Sequence, residues 1–321
     1  MVTLVTACMN REAHLRQSLP RWLVLPQLAE LIVVDWSNSH SLGDLRSIDP
    51  RVKVVRIEGE SKWILSYAYN VGISRATHPV IVKCDADCMP LPETMQRLPG
   101  PAYFHAGYWR TGATVGKPSV NGQCVFLKSQ FDAVNGYSEL IRTYGRDDED
   151  FYDRLKASGF ERREIPPACL DFIGHSNDER TVNQFADNGS ISPEQRVFRN
   201  TLYNEMHNYF VGKMMPWDNR SRRAVFQESH GEERFSVLRR DQAQEIPIPG
   251  EVEAAARLLA LRYVSKRVAG ISDESAGKLD ARGCLALIIP RLYGGPQKIA
   301  GMVPSQTPPL RPAGQTQRRA D

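Results

Sequence analysis

Two aspartates at the end of an apolar stretch are the residues whose type and spacing most clearly indicate chemistry. Asp85 and Asp87 follow the β-branched run Val80–Val82 with one residue between them. In an extended chain, residues i and i+2 point the same way, so both carboxylates would reach one spot at the strand's carboxyl end. Oxygen ligands suit Mg²⁺ or Mn²⁺, which leave other positions open for phosphate oxygens. The pair therefore indicates a divalent metal site, although acids also end strands because they begin turns.

A second acidic group lies at the start of a predicted helix. Residues Asp147 to Asp150 are four consecutive acids, and the helix continues to about Ser158. Acids stabilise the amino end of a helix through its macrodipole. Four are more than capping needs, and crowded carboxylates repel each other, so that one of them would hold its proton more tightly. Such a group could serve as a general base.

The elements around these acids alternate between strand and helix. Strands are predicted at 2–7, 31–35, 54–57 and 80–83, and helices at 10–22 and 65–76. This alternation with short connections predicts an α/β fold with a mostly parallel, doubly wound sheet, whose carboxyl edge binds ligands. No G-x-G-x-x-G follows the first strand, which disfavours an ordinary dinucleotide-binding fold.

The pattern loosens towards the end of the chain. Apolar residues at helical spacing predict a packed accessory helix over 252–268, and residues 303–321, rich in Pro, Gln and Arg, are predicted to be disordered. We therefore expect a main domain over 1–217, a helical accessory region over 218–302 and a tail over 303–321.

Composition limits the class of protein. The chain has 321 residues, of which 41% are hydrophobic and 24% charged, as is typical of a globular protein. Its apolar runs are too short to cross a bilayer, and because a strand is predicted from Thr3 we expect no signal peptide. Six sparse cysteines without metal-ligand spacing are expected to be reduced thiols, which indicates a cytoplasmic protein.

The net charge of +4 is unevenly distributed. From Asp218 onwards there are 17 basic and 12 acidic side chains. This mildly basic region could favour peripheral association with an anionic inner membrane face. The imbalance is too weak to indicate nucleic-acid binding.

Several segments match a family in order and spacing. They are Val5–Arg11, the strand Glu30–Ser37 (E-L-I-V-V-D-W-S), the helix Leu65–Ala76 with Tyr69 where A-R-N-x-G has Arg, the Asp-x-Asp element at 85–87, Asn121–Phe126, the Asn135–Tyr137 turn and the acids 147–150. Together they resemble the nucleotide-sugar-dependent glycosyltransferases of the GT-A fold, namely family 2 and the galactosyltransferase-like group. The resemblance covers roughly residues 1 to 180, and it implies the GT-A fold with a helical C-terminal extension.

The resemblance implies a metal site and a catalytic group. A Mn²⁺ or Mg²⁺ ion would be held by Asp87 and Asp85, with Asp85 reaching the ribose or a metal-bound water. His175 would be a further ligand, although no second His or Cys stands at ligand spacing from it. Asp148 would be the general base, with Asp147 holding the acceptor sugar. Because the register of four acids could slip by one, Glu149 is an alternative base.

The resemblance also implies binding residues. The nucleotide would contact Thr6, Asn10, Arg11, Asp35, Asn70 and Asp85. Trp109 and Trp63 could stack on the apolar face of a sugar, or could instead be hydrophobic anchors. Arg110 could meet a phosphate or an acidic sugar.

Together with the resemblance, these features predict a cytoplasmic, metal-dependent glycosyltransferase. The resemblance implies an inverting mechanism, with a retaining mechanism as the alternative. The enzyme would move a sugar from a nucleotide-sugar donor, expected to be a UDP-sugar, to a hydroxyl of a glycan or glycolipid acceptor in surface polysaccharide synthesis. One alternative is a sugar-phosphate nucleotidyltransferase, which normally has a Gly-rich loop after its first strand. Another is a non-catalytic glycan-binding protein on the same fold.

Overall fold

The structure is a computed structural model that describes residues 1–108, 120–174, 199–229 and 237–292. Trp109, Arg110, His175 and the tail 303–321 lie outside these ranges.

Among the described residues, nine strands form one sheet in the order β10-β11-β3-β2-β1-β4-β7-β6-β8, and β5 pairs with β9 in a small second sheet. The strands are β1 (Val2–Cys8), β2 (Leu28–Trp36), β3 (Val52–Glu58), β4 (Val80–Lys83), β5 (Cys88–Pro90), β6 (Tyr103–Ala106), β7 (Cys124–Leu127), β8 (Glu161–Glu164), β9 (Leu170–Phe172), β10 (Phe226–Ser229) and β11 (Val237–Arg240). The core pairs from β11 through β3, β2 and β1 to β4 are parallel, whereas β7 runs antiparallel to β4 and β6. The predicted α/β class with a mostly parallel sheet is confirmed.

The helices of the described residues lie mainly in the predicted places. They are α1 (Glu12–Leu23), α2 (Leu65–Ser74), α3 (Pro92–Met95), α4 (Lys128–Ala133), α5 (Asp147–Ala157), α6 (Glu205–Met214), α7 (Gly250–Ala269), α8 (Asp273–Gly277) and α9 (Ala281–Leu292). None of these helices combines the length and hydropathy that crossing a bilayer requires.

The central strand β1 is buried along its whole length, and α2 packs closely against it. Gly72 makes this approach possible, because a Cβ there would lie 2.7 Å from Val5 Cγ1 and 2.8 Å from Val34 Cγ2. The side chains on that face of the sheet form a core rich in aromatic rings. The carboxyl ends of β1 to β4 are thereby held on a rigid base.

The helical C-terminal extension is present, but the predicted boundary after residue 217 does not separate it from the sheet. Strand β11 pairs in parallel with β3, and β10 pairs with β11. Buried Arg240 of β11 also forms an ion pair with buried Glu60 at 2.6 Å. The described residues of 218–302 therefore include two strands of the main sheet besides the helices, and the short, charged sequences of these strands did not indicate this.

Candidate functional site

The structure places the predicted acids at the carboxyl end of β4. Potential ligand atoms of Asp85, Asp87 and Cys88 lie within 4.8 Å of one another. Burial and the neighbouring Asp87 carboxylate raise the pKa of Cys88 well above its ordinary value, so its thiol stays protonated. The two carboxylates are therefore the hard ligands of this group, and they fit a divalent cation such as Mn²⁺ or Mg²⁺.

Asp85 is held by side chains beneath it. Its Oδ1 lies 2.9 Å from Nζ of Lys83 and 3.0 Å from the hydroxyl of Tyr69, which is equally close to the Cys84 carbonyl. Its Oδ2 faces the amide of Gln123 at 3.5 Å. Asp87 lies beside the loop after β1, where Arg11 Nη1 donates to its Oδ2 at 3.2 Å.

The acidic helix α5 begins in an unusual backbone conformation. Gly145 and Arg146 have φ of +95° and +67°, in the left-handed region that favours glycine. Asn208 of α6 holds this turn by donating to the carbonyls of Thr143, Tyr144 and Gly145, the last at 2.7 Å. Helix α6 therefore helps to place the first turn of α5 at the sheet edge.

This placement brings Asp148 to Lys83, the last residue of β4, which also contacts Asp85. Its Oδ1 lies 3.2 Å from Nζ of Lys83 and 3.1 Å from the hydroxyl of Tyr137. Asp147 lies beside it and accepts a hydrogen bond from the Asp148 backbone N–H at 2.9 Å. One buried lysine thus joins the Asp-x-Asp element to the predicted base.

The charges of this cluster shift its proton affinities. Burial, followed by the charge of Asp148, raises the pKa of Asp147 to about 7. Burial also raises the pKa of Asp148, although Lys83 opposes this. Burial alone would lower the pKa of Lys83, but Asp148 and Asp85 outweigh it and raise that pKa, so the side chain is an ammonium. The Asp147–Asp148 pair is thus suited to take up a proton near neutral pH.

Glu149, the alternative base, has a different partner. It forms an ion pair at 3.1 Å with Arg162, whose side chain is 3% exposed. The Arg162 guanidinium also stacks on Tyr108 and Tyr152, at 3.9 and 4.4 Å from their ring centroids. Glu149 is therefore turned towards Arg162, whereas Asp148 is the acid of this helix that contacts Lys83.

Of the predicted nucleotide contacts, Asn10 and Arg11 lie where a ligand could reach them. Asn10 is exposed and bonded to Asn38, so that the loops after β1 and β2 are joined. Beside them is an open groove of about 510 Å³ at the ends of β2, β3 and β11. Its lining residues are Ser37, Asn38, Arg56, Glu58, Gly59 and Arg239.

The structure does not support direct nucleotide contact by three predicted residues. Thr6 is fully buried inside β1. Asp35 is also fully buried, and its oxygens accept from Arg56 at 2.7 Å and from Asn38 at 2.6 Å. Asn70 is buried as well, and its amide bonds both backbone groups of Tyr137. Asp35 and Asn70 instead bond to the loops around the site.

Trp63 is half-buried and meets Trp36 edge-on at 6.4 Å between ring centroids, so hydrophobic anchoring accounts for it. The placements predicted for Trp109, Arg110 and His175 fall outside the described residues.

The sequence interpretation assigned no role to Lys83, Tyr137 or Asn208. The sequence offered one indication of a role for Lys83. It is a lysine in the apolar run of a buried strand, and a buried ammonium needs anionic partners. Nothing in the sequence indicated which acids those partners would be.

Two segments of the chain are similar to known protein families. Residues 3–107 match the sequence model described as glycosyl transferase family 2, and residues 116–176 match that described as the N-terminal domain of galactosyltransferase. A comparison with curated protein sequences finds no match. The two matched segments contain the Asp-x-Asp element and the acidic helix, respectively. The expected resemblance is confirmed: over these two segments the chain is similar to family 2 glycosyltransferases and to the N-terminal domain of galactosyltransferases.

Solved structures with a similar course of chain include three glycosyltransferases. The Drosophila beta1,4-galactosyltransferase 7 catalytic domain, in complex with xylobiose, has 13% identity over 74% of this chain and 92% of its own, with a TM-score of 0.48. The Mycobacterium tuberculosis glucosyl-3-phosphoglycerate synthase, with Mn²⁺, UDP and glucosyl-3-phosphoglycerate, has 14% identity over 71% and 84%, with a TM-score of 0.42. A mannosyltransferase from Pyrobaculum calidifontis, with GDP-Man and Mn²⁺, has 15% identity over 95% and 85%, with a TM-score of 0.45.

Proposed function

We propose that the protein is a metal-dependent, inverting glycosyltransferase that moves a sugar from a UDP-sugar to a hydroxyl of a glycan acceptor in surface polysaccharide synthesis. The observation that carries the proposal is the contact of Lys83 with both Asp85 and Asp148. It brings a donor-side and an acceptor-side carboxylate into one cluster.

On the donor side, Asp87 and Asp85 would hold Mn²⁺ or Mg²⁺, which when bound neutralises the charge of the departing diphosphate. Asn10 and Arg11 border the same edge, and the open groove beside Asn38 offers polar groups for the nucleoside. Arg11 would turn from Asp87 towards the phosphates.

On the acceptor side, Asp148 would remove the proton of the attacking hydroxyl. The acceptor oxygen forms a bond to the anomeric carbon while the bond from that carbon to the phosphate oxygen breaks, and UDP leaves. A single displacement of this kind inverts the anomeric centre. Asp147, next to Asp148, would hold the acceptor's hydroxyls. The reaction is proposed to take place in the cytoplasm, where the six buried, unpaired thiols would stay reduced.

The test is release of nucleoside diphosphate from UDP-, GDP- and TDP-sugars, with and without Mn²⁺ and with candidate glycan acceptors. Asp87→Asn should lose Mn²⁺-dependent donor binding. Asp148→Asn should bind the donor but transfer about 10²–10⁴-fold more slowly. Asp132→Asn, which changes an exposed carboxylate on α4 paired with Lys128, is the matched control and should behave as wild type.

Two outcomes would contradict the proposal. Pyrophosphate release from a sugar phosphate and a nucleoside triphosphate would indicate a nucleotidyltransferase. Glycan binding without cleavage of any nucleotide sugar would indicate a binding protein. Near-normal transfer by Asp148→Asn would contradict the assignment of the base.

A further inference from the structure

Lys83 is a charged side chain with no exposed surface. It is the last residue of β4, which lies between β1 and β7, and its register partners are Val5 and Cys124. Because strands pair with β4 on both sides, the backbone of Lys83 cannot shift to bring its ammonium to solvent. The charge must be satisfied where it lies.

The ammonium and two phenols hold the two carboxylates in the same way. Asp85 Oδ1 receives Lys83 at 2.9 Å and Tyr69 at 3.0 Å. Asp148 Oδ1 receives Lys83 at 3.2 Å and Tyr137 at 3.1 Å. Burial raises the pKa of both tyrosines well above the ordinary value, so each keeps a hydroxyl proton to donate.

The packing around this cluster leaves little room for rearrangement. The Lys83 ammonium also lies 4.6 Å from the centre of the Tyr69 ring. Gly122 passes so close that a Cβ there would lie 3.1 Å from Nζ of Lys83 and 2.4 Å from Oδ2 of Asp85. The lysine is therefore confined on several sides, and it holds the Oδ1 atom of each carboxylate.

We propose that Lys83 is a positioning residue for glycosyl transfer, an internal cation that fixes the donor-side carboxylate of Asp85 relative to the acceptor-side carboxylate of Asp148. The inference rests on the proposed function and assigns a role to a residue that does not itself meet substrate. The lysine occupies one oxygen of each acid, so that the geometry between the donor's metal and the base is set before any ligand arrives.

This role differs from simple charge compensation in what it predicts for metal binding. A fixed positive charge beside Asp85 opposes a second cation at the same carboxylate. Removing the charge should therefore strengthen Mn²⁺ binding, even as the two acids lose their fixed relation and transfer slows. A lysine that only supported the fold would instead lose metal binding and transfer together.

The experiment compares Lys83→Met, which keeps an unbranched side chain and removes the ammonium, with wild type. Mn²⁺ affinity is measured by titration of the metal alone, and kcat is measured with the donor that wild type uses. We expect Mn²⁺ to bind about threefold more tightly or better, and kcat to fall about 10²-fold. Lys128→Met, which breaks an ion pair of α4 with Asp132 at 3.0 Å, is the matched control and should change neither quantity.

A folded Lys83→Met protein with near-normal kcat would overturn the proposal, and so would one that loses both Mn²⁺ binding and transfer. If the variant does not fold, the two tyrosines decide. Tyr69→Phe should raise the donor KM or weaken Mn²⁺ binding about tenfold with little change in kcat, whereas Tyr137→Phe should lower kcat about tenfold at unchanged donor KM. The same effect of both variants on one parameter would contradict the proposal.

Failure of the proposed function can be distinguished from failure of this inference. A wild-type protein that cleaves no nucleotide sugar would refute the proposed function. The comparison of Mn²⁺ affinity between wild type and Lys83→Met would still test whether the lysine controls the carboxylate site.

Discussion

Gly122→Ala is expected to lower activity strongly at little cost in stability. Its new Cβ would lie 2.4 Å from Oδ2 of Asp85, whereas ordinary contact begins at 3.4 Å, so the carboxylate must move by about 1 Å. Asp85 can yield because its side chain is 35% exposed. By moving, the carboxylate would leave the position in which Lys83 and Tyr69 hold its Oδ1 atom.

A misplacement of about 1 Å at a reacting centre costs about 10²-fold in rate, which corresponds to about 2.7 kcal/mol of transition-state stabilisation. The backbone at Gly122 is outside the left-handed region, so alanine itself introduces no backbone strain. We therefore expect the free energy of unfolding to stay within about 1 kcal/mol of wild type.

The assay for Gly122→Ala is kcat/KM for the donor at saturating Mn²⁺, together with thermal unfolding. Gly277→Ala is the matched control, because a Cβ there meets no atom within 4 Å. The reasoning is refuted if Gly122→Ala keeps the wild-type kcat/KM and Mn²⁺ affinity, since Asp85 would then lie outside the reactive region. A large loss of stability would also refute it, because the clash would then fall on the backbone.

Three further predictions concern the surrounding residues. The rate of glycosyl transfer should rise with pH through about 7, because the pKa values of Asp147 and Asp148 are both raised. Asp147→Asn should move the rising part of the pH–rate profile to lower pH, because it removes the carboxylate that repels Asp148. Raised native pKa values favour the protonated forms, so the stability that this pair contributes is present below the unfolded-state pKa and is lost as pH rises through the native pKa values. Asp147→Asn should therefore also flatten the fall in the free energy of unfolding from pH 5 to 8, measured by denaturant titration. Glu149→Gln should cost about 1–3 kcal/mol of stability by leaving Arg162 without its ion pair, and urea denaturation alongside kcat should show stability lost while kcat stays within a few-fold. Asn70→Ala should lower the free energy of unfolding by about 2–4 kcal/mol, because its side-chain hydrogen bonds are lost. An unchanged stability with an effect on donor KM alone would instead support the predicted contact with the nucleotide.

The features that depend on local pattern could be predicted from the sequence. The alternation of apolar strands with helices predicted the parallel sheet, because a buried strand is recognisable from a short β-branched run. The two-residue spacing of Asp85 and Asp87 predicted that their ligand atoms would converge, and the structure brings them within 4.8 Å of each other and of Cys88. Both inferences use only neighbours along the chain.

The features that depend on distant partners could not be predicted in the same way. Asn70 lies in a motif that resembles a nucleotide-contacting helix, but motif letters do not say which neighbour its amide meets, and here that neighbour is the turn at Tyr137. Glu149 and Asp148 are adjacent in sequence, yet a helix directs successive side chains about 100° apart, so one meets Arg162 and the other Lys83. Strands β10 and β11 carry many charges at an edge of the sheet, and their pairing with β3 becomes evident only in three dimensions.

The distribution of cations along the sheet edge explains why one pair of acids remains suited to proton transfer. Arg11 is paired with Asp87 and Arg162 with Glu149, each within 3.2 Å, so each of these carboxylates has a cation of its own. Lys83 is shared between two acids and therefore compensates each one incompletely.

Among the described acids of this edge, Asp147 is the one without an ion pair of its own, and its pKa is raised to about 7. Because Asp147 and Asp148 repel each other, their protons leave in steps that belong to the pair rather than to either residue. The acceptor's proton would therefore pass to Asp148, the acid that contacts Lys83. The pH at which the pair can accept that proton depends on Asp147 as much as on Asp148. A pH–rate profile of wild type should consequently report the pair, and only its comparison with the single variants can assign the proton to one carboxylate.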